Sequence, residues 1–303
     1  MVRLKDLSRE EMFAQGHRLC AGCGPAIAMR MALKALRGPT VITNATGCVE
    51  VATTIFPYTA WRVPYLHSAF ENAAANAAGL EAAFKALERK GQIKKPDVIA
   101  IAGDGGTFDI GIQALSGALE RGHDFVYLCY DNEAYMNTGI QRSGATPHGS
   151  ATTTSPAGKK IPGKMEWKKD LAAIAVAHGV PYVATASPAY WNDYITKMQK
   201  AIEVDGPAVI HVIAACPTGW RHNGDQTIHL CRLAVQTRYF PIYEVNYGQY
   251  RLTIKVPKPK PVVDFLKPQR RFRHLFTPEF EGEIDKIQSY VDENWRRLMK
   301  LCG

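Results

Sequence analysis

Residues 99–137 read IAIAGDGGTFDIGIQALSGALERGHDFVYLCYDNEAYMN, and the fold of the chain turns on them. An apolar run at 98–102 stops at Gly103-Asp104-Gly105-Gly106; an amphipathic segment then leads to Gly122 and a second apolar run at 125–130. This is the order strand, glycine turn, helix, strand. A glycine turn between strand and helix lets backbone approach a phosphate, and the helix start behind it favours negative charge. Asp104 in that turn repels a bare diphosphate, so a divalent cation is expected between them, and Mg²⁺ is the ion that carboxyl or amide oxygens share with substrate phosphates. A second oxygen ligand is expected from the neighbouring strand, where Asn132 follows the run at 125–130. The competing nicotinamide reading needs G-x-G-x-x-G, but Phe108 stands at the third glycine position and the nearest acid on the next strand is the late Asp131.

The chain has 303 residues, 46% of them hydrophobic, enough to bury the core of one large domain or of one domain with appendages. No run of eighteen apolar residues exists and the N-terminal MVRLKDLSREEMF is charged, so neither export nor membrane spanning is expected and the cytoplasm is the expected location. Seven cysteines in such a chain point to metal or cluster ligation before disulfides. The net charge is +9, with part of the excess in Lys255, Lys258, Lys260, Lys267, Arg270, Arg271 and Arg273 among Pro257, Pro259, Pro261 and Pro268. That stretch reads as a solvated, proline-stiffened arm lying on a partner subunit. No nucleic-acid recognition motif accompanies the charge, so no nucleic acid is expected.

In chain order, residues 1–19 read as a short polar helical lead-in. Cys20-Ala21-Gly22-Cys23-Gly24-Pro25 then opens a helix that Gly38 ends, placing Cys23 at a helix N-terminus, where a thiolate is favoured. A lone C-x-x-C is open between a redox dithiol, half a zinc site, half an iron-sulfur site and nothing. A strand at 40–44 ends in Ala45-Thr46-Gly47-Cys48, and an aromatic-rich loop follows. Ser68-Ala69-Phe70-Glu71 reads as a capping box for a helix running to Lys90, with His67, beside the expected diphosphate, just ahead of it. After Asn132 comes a loop of some thirty residues, long enough to be functional. A helix at 165–178, a strand at 182–186, a helix from Ser187-Pro188 and a strand at 208–214 running into Cys216 resume the alternation. Residues 217–303 read as an extension, with a helix near 225–237, a short strand or hairpin, the basic arm, and a last helix capped by Thr277-Pro278.

The β-α-β alternation predicts an α/β fold with a parallel sheet and helices on both faces. Every strand of such a sheet ends on one edge, where ligands bind. Cys48, Asp104, Asn132 and Cys216 each follow a different strand, so they are expected to converge there, with Cys20 and Cys23 in reach. Four cysteines beside a metal-diphosphate site read as a cluster that exchanges electrons with the cofactor, while zinc also takes four thiolates. Cys129 reads as a core residue and Cys231 and Cys302 as incidental.

Taken together, HRLCAGCG, NATGCVEV, HSAFENAAA, GDGGTFDIGIQALSGALERGHD, YDNEAYMNTGIQRSGATP and AACPTGW resemble the β subunit of 2-oxoacid:ferredoxin oxidoreductases, most closely the pyruvate:ferredoxin type; the resemblance covers residues 17 to about 250. It implies a thiamine diphosphate-binding fold of the pyrophosphate-binding type over 1–216 and a C-terminal extension at 217–303 packed on the core and on partner subunits. It implies Mg²⁺ held by Asp104, the Asn132 side chain and the Ala134 carbonyl; diphosphate contacts from Gly103, Gly105 and Gly106; Asn137 facing the reactive carbon and the substrate; and a [4Fe-4S] cluster on Cys20, Cys23, Cys48 and Cys216. Relatives often carry Thr at the position of Asn132, and some carry Glu at the position of Pro25.

The implied reaction is oxidative decarboxylation of a 2-oxo acid, pyruvate first, to acyl-coenzyme A and carbon dioxide, with electrons passing through the cluster to ferredoxin. No glutamate suited to tautomerise the aminopyrimidine and no C-x-x-C-x-x-C run are found in this chain. The resemblance places these on an α subunit and a ferredoxin-like subunit, so activity is expected only in the complex. Other readings are an oxidoreductase for 2-oxoglutarate, branched or aryl 2-oxo acids or oxalate; a non-redox thiamine decarboxylase or synthase; and a zinc-stabilised or electron-transfer assembly subunit.

Overall fold

The structure, a computed structural model, describes residues 2–303. The apolar runs form β1 (Thr40–Ala45), β2 (Tyr65–Ser68), β3 (Asp97–Gly103), β4 (Val126–Asp131), β5 (Tyr182–Ala186), β6 (Ala208–Ile213), β7 (Tyr243–Asn246) and β8 (Gln249–Leu252). Among the described residues they make one sheet in the order β2-β1-β3-β4-β6-β5-β7-β8. The first six strands pair in parallel, and β7 and β8 continue the sheet antiparallel.

The two-residue period of a strand sorts the core into two layers. Ile99 and Ile101 of β3 face one layer with α1 (Gly24–Leu33); Val98, Ala100 and Ala102 face the other. That second layer also holds Ala73, Ala74, Ala77 and Ala78 from α3 (Ala73–Arg89). Helices thus cover both faces, as the alternation predicts. Between α1 and α3 lies α2 (Cys48–Thr53), immediately after β1. The glycine turn continues as α4 (Asp104–Phe108) and α5 (Ile112–Glu120), followed later by α6 (Leu171–Ala177), α7 (Trp191–Glu203), α8 (Pro217–Trp220), α9 (Thr227–Gln236), α10 (Val263–Leu266) and α11 (Glu283–Cys302).

The chain leaves β1 for β2 on one side and leaves β3 for β4 on the other, so the sheet reverses its winding between β1 and β3. A crevice opens at such a point, at the carboxyl ends of the strands. Residues 46–48 and 103–106 sit on its two sides. No helix of the described residues is long and apolar enough to cross a membrane.

Several local expectations change. The lead-in holds one 3-10 turn, Leu4–Asp6, and otherwise runs along the core, bridging Phe13 to Trp61; Met1 lies outside the described residues. The capping box is overridden: Ser68 closes β2 opposite Ala45, and α3 begins five residues later. The segment 103–122 is two helices, broken at Asp109, whose carboxylate takes the Gly144 N–H (2.8 Å) and Lys169 (3.1 Å). The helix expected from 165 begins at Leu171, where the Asp170 carboxylate accepts from the Ala173 N–H. Thr277-Pro278 opens only a 3-10 turn, and α11 starts after Gly282, at φ +87°. The basic arm is solvated at Lys255, Lys258 and Lys260, but Arg271 is 2% exposed, inside an ion pair described below.

Candidate active site

The end of β3 places Asp104 in the first turn of α4, 1% exposed, and the end of β4 places Asn132 beside it. One terminal atom of the Asn132 amide lies 2.9 Å from Asp104 Oδ1 and 2.9 Å from the Ala134 carbonyl oxygen. As nitrogen it donates to both. In the opposite amide orientation it makes a third oxygen facing two others, which is the donor set a hard divalent cation takes. The residues therefore fit a Mg²⁺ ion. Burial, with the charge of Asp131 adding, holds the Asp104 carboxyl well above the usual carboxylate range, and Ser143 and Lys168 only partly offset this. A cation at this spot would release that proton.

A cavity of about 20 Å³ is lined by Gly47, Cys48, Gly103, Asp104, Asn132 and Asn137, among others. It has room for an ion or a water, not for an organic cofactor. Gly105 must be glycine: the Tyr135 ring would stand 2.4 Å from a β-carbon there, and the Tyr135 hydroxyl donates to the Gly105 carbonyl at 3.1 Å. Asn137 is exposed at the cavity mouth. His67 is not brought to the cavity. It lies exposed on β2, where its Nδ1 is 2.5 Å from Glu50 Oε1.

The cysteines gather beside this cavity. The Gly24 N–H donates to the Ala215 carbonyl (3.1 Å) and the Thr227 hydroxyl to the Gly22 carbonyl (2.5 Å), seating the C-x-x-C turn against the chain that leads to Cys216. Burial pushes the thiols of Cys23 and Cys48 up to about 12 and raises Cys216, and Cys20, Cys23 and Cys216 add to the rise at Cys48. The helix start does not make Cys23 a ready thiolate, because desolvation outweighs the N–H at Ala26. A β-carbon on Gly219 would stand 2.1 Å from Sδ of Met136, a residue of the cavity wall, and 3.6 Å from Cys216 Sγ, so Gly219 packs against both. Among the described residues no three His, Cys, Asp or Glu side chains close on one point as a metal-ligand set. The four thiols are neighbours whose ionised forms would need a strong compensating cation.

Sequence reasoning missed the braces of this site. Ser143 donates to Asp104 Oδ2, and the Trp220 indole donates to the Asn132 carbonyl at 2.8 Å. Both come from segments far away in sequence, with no local pattern to mark them. A larger cavity of about 270 Å³ lies between α11 and the sheet, with Phe240, Phe272, Ile287 and Leu298 in its walls. It holds no glycine turn or amide-carboxylate cluster and is not the candidate site.

Residues 45–212 match the family described as thiamine pyrophosphate enzyme, C-terminal TPP binding domain. The chain is 58% identical to the pyruvate synthase subunit PorB of Methanocaldococcus jannaschii, covering 96% of this chain and 97% of that one. It is 50% identical to PorB of Thermotoga maritima, covering 99% and 96%. It is 48% identical to the ketoisovalerate oxidoreductase subunit VorB of Pyrococcus abyssi, covering 97% and 94%. In fold it is similar to a 2-oxoglutarate:ferredoxin oxidoreductase from Magnetococcus marinus, with a TM-score of 0.58 at 18% identity over 75% of this chain and 82% of that one.

Proposed function

The chain belongs to the pyruvate synthase PorB family within the thiamine pyrophosphate enzymes, and we propose that it is the β subunit of a 2-oxoacid:ferredoxin oxidoreductase acting on pyruvate. The observation that carries this reading is the meeting of the Asp104 carboxylate, the Asn132 amide and the Ala134 carbonyl at 2.9 Å, in a cavity that Cys48 also lines. Asp104, Asn132 and the Ala134 carbonyl hold Mg²⁺ against the diphosphate of thiamine diphosphate, and Gly103, Gly105 and Gly106 give that diphosphate close backbone approach. Cys20, Cys23, Cys48 and Cys216 hold a [4Fe-4S] cluster. When bound, thiamine diphosphate supplies the electron sink for decarboxylating a 2-oxo acid, and the cluster accepts the electrons one at a time.

The chain's own contribution is placement. Asp104, whose carboxyl burial holds protonated, would lose that proton to solvent when a cation binds, and the Ser143 hydroxyl keeps the carboxylate in place. Tyr135 covers Gly105 and keeps water from that side of the turn. Asn137, exposed at the mouth, is positioned to hydrogen-bond the substrate. In this proposal residues 1–216 form the cofactor-binding unit and 217–303 an extension that packs on it and on partners. An α subunit completes the thiamine site, and a ferredoxin-like subunit carries electrons outward to ferredoxin. Seven unpaired cysteines support a cytoplasmic location.

The identity to VorB, 48%, falls within the 46–58% range to the PorB relatives, so the substrate needs its own measurement. Purified anaerobically, the whole complex is expected to reduce ferredoxin in a coenzyme A-dependent way fastest with pyruvate among a panel of 2-oxo acids. Faster turnover of 2-oxoisovalerate overturns the substrate; no coenzyme A-dependent ferredoxin reduction with any 2-oxo acid overturns the function.

A further inference from the structure

Glu133 stands between two groups of the metal site, Asn132 and Ala134, and its backbone has φ +67°, a region that residues with side chains rarely adopt. Glycine or asparagine would take that conformation more cheaply. The glutamate is held there from several directions while fully buried. Its N–H donates to Asp131 Oδ1 at 3.0 Å, and its carbonyl accepts from the Thr146 hydroxyl at 2.7 Å. Its Oε1 accepts from Lys168 Nζ and the Tyr239 hydroxyl, each at 2.9 Å, and its Oε2 from Arg271 at 2.5 Å. Arg271 is itself fixed by Gln269 Oε1 and lies 4.2 Å over the Trp220 ring, the ring whose indole donates to the Asn132 carbonyl.

The left-handed residue reverses the chain, so that the Ala134 carbonyl points back at the Asn132 amide. We infer that Glu133 is a positioning residue for the metal site: its carboxylate, clamped by Lys168, Tyr239 and Arg271, holds the turn that brings the Ala134 carbonyl to Asp104 and Asn132. The long loop and the C-terminal extension thereby acquire a shared task, since Thr146 belongs to the first and Tyr239 and Arg271 to the second. This rests on the metal site proposed above. A purely structural Glu133 would neutralise the two cations without affecting the metal.

The test uses the whole complex, stripped of Mg²⁺ and thiamine diphosphate, and reads the Mg²⁺ concentration that half-restores thiamine diphosphate binding in equilibrium dialysis. Partners that orient metal ligands are typically worth about 10- to 100-fold in metal affinity. Tyr239→Phe, which removes one hydroxyl, is expected to raise the half-saturating Mg²⁺ about 10-fold, and Arg271→Lys toward 100-fold. Binding should recover at saturating Mg²⁺ in the variants that remain folded, with iron content unchanged. Glu133→Gly relieves the backbone but drops the clamp, so it too should weaken metal binding.

An unchanged Mg²⁺ requirement in the folded Tyr239→Phe and Arg271→Lys complexes overturns the inference, as does a loss of cofactor binding that excess Mg²⁺ does not restore. Asp104→Ala run in parallel separates the two levels. If it abolishes Mg²⁺-dependent binding while the clamp variants behave as wild type, only the role of Glu133 falls. If Mg²⁺-dependent binding survives Asp104→Ala, the metal site falls and the inference with it.

Discussion

Cys23 immediately precedes α1, where the helix terminus and the N–H at Ala26 favour a thiolate, yet burial, with Cys216 and Cys20 adding, holds its thiol at about 12. Cys48 is held equally high for the same first reason, and Cys216 is raised although Gly219 and Thr218 N–H groups oppose it. Buried neighbouring thiols that resist ionisation make poor free nucleophiles and good ligands, because a metal centre supplies the positive charge that the protein withholds. Cys216→Ala in the complex is therefore expected to lower iron and acid-labile sulfide together and to weaken the visible absorption, while Mg²⁺-dependent thiamine diphosphate binding is retained. Unchanged iron and sulfide would remove Cys216 from the ligand set. At this scale the sequence was readable where chemistry and position coincide. Gly-Asp-Gly, Asn132 and the strand-end cysteines announce themselves by residue type. Glu133 does not, since the partners that hold its carboxylate lie 35, 106 and 138 positions away.

Elements were legible where their pattern is long and went astray where pairing across the sheet overruled a local motif. Apolar runs mark β1, β3, β4, β5 and β6 because both faces of these strands are buried. The Ser68-x-x-Glu71 motif looks like a helix start, but residues 65–68 find hydrogen-bonding partners along β1 at 42–45, and Ser68 becomes the end of a strand. The long loop carries no periodicity, and its order comes from single side chains. Lys164 is 2% exposed, and its ammonium donates to the Thr146 carbonyl at 2.6 Å and less closely to that of Gly144. Burial, with Arg142 adding, holds it at about 8, below the ordinary 10.5. The unfolded chain then binds more protons between those two values, so stability rises with pH across that window, and the full penalty is present below pH 8. Wild type should gain on Lys164→Met by on the order of 1–2 kcal/mol from pH 8 to 10.5, a value discounted for water screening near the loop. Melting curves of the two proteins at both ends of the window check this. Parallel shifts would show that no buried ammonium is titrating.

At the scale of the molecule, the change of winding, the acid turn and Cys48 come together at the crevice between β1 and β3. The cavity there, about 20 Å³, has room for an ion or a water, so in the proposed reading the two rings of the cofactor would lie outside it, against a partner chain. Just beyond α2, whose first residue Cys48 lines that cavity, Phe56 is 94% and Tyr58 78% exposed. Exposed rings of this kind suit a partner surface. An isolated subunit that grips only the diphosphate cannot distinguish thiamine diphosphate from inorganic pyrophosphate by its rings. Burying roughly 100 Å² of ring surface against a partner is worth about 2.5 kcal/mol, or close to 100-fold in affinity. In Mg²⁺ buffer, pyrophosphate should therefore displace thiamine diphosphate from the isolated chain at concentrations within about 10-fold of each other, and need about 100-fold more in the assembled complex. Competition dialysis on both preparations reads the ratio directly. An isolated chain that already prefers thiamine diphosphate as strongly as the complex does would mean that the rings are held by this subunit, and that the missing half of the site lies within it.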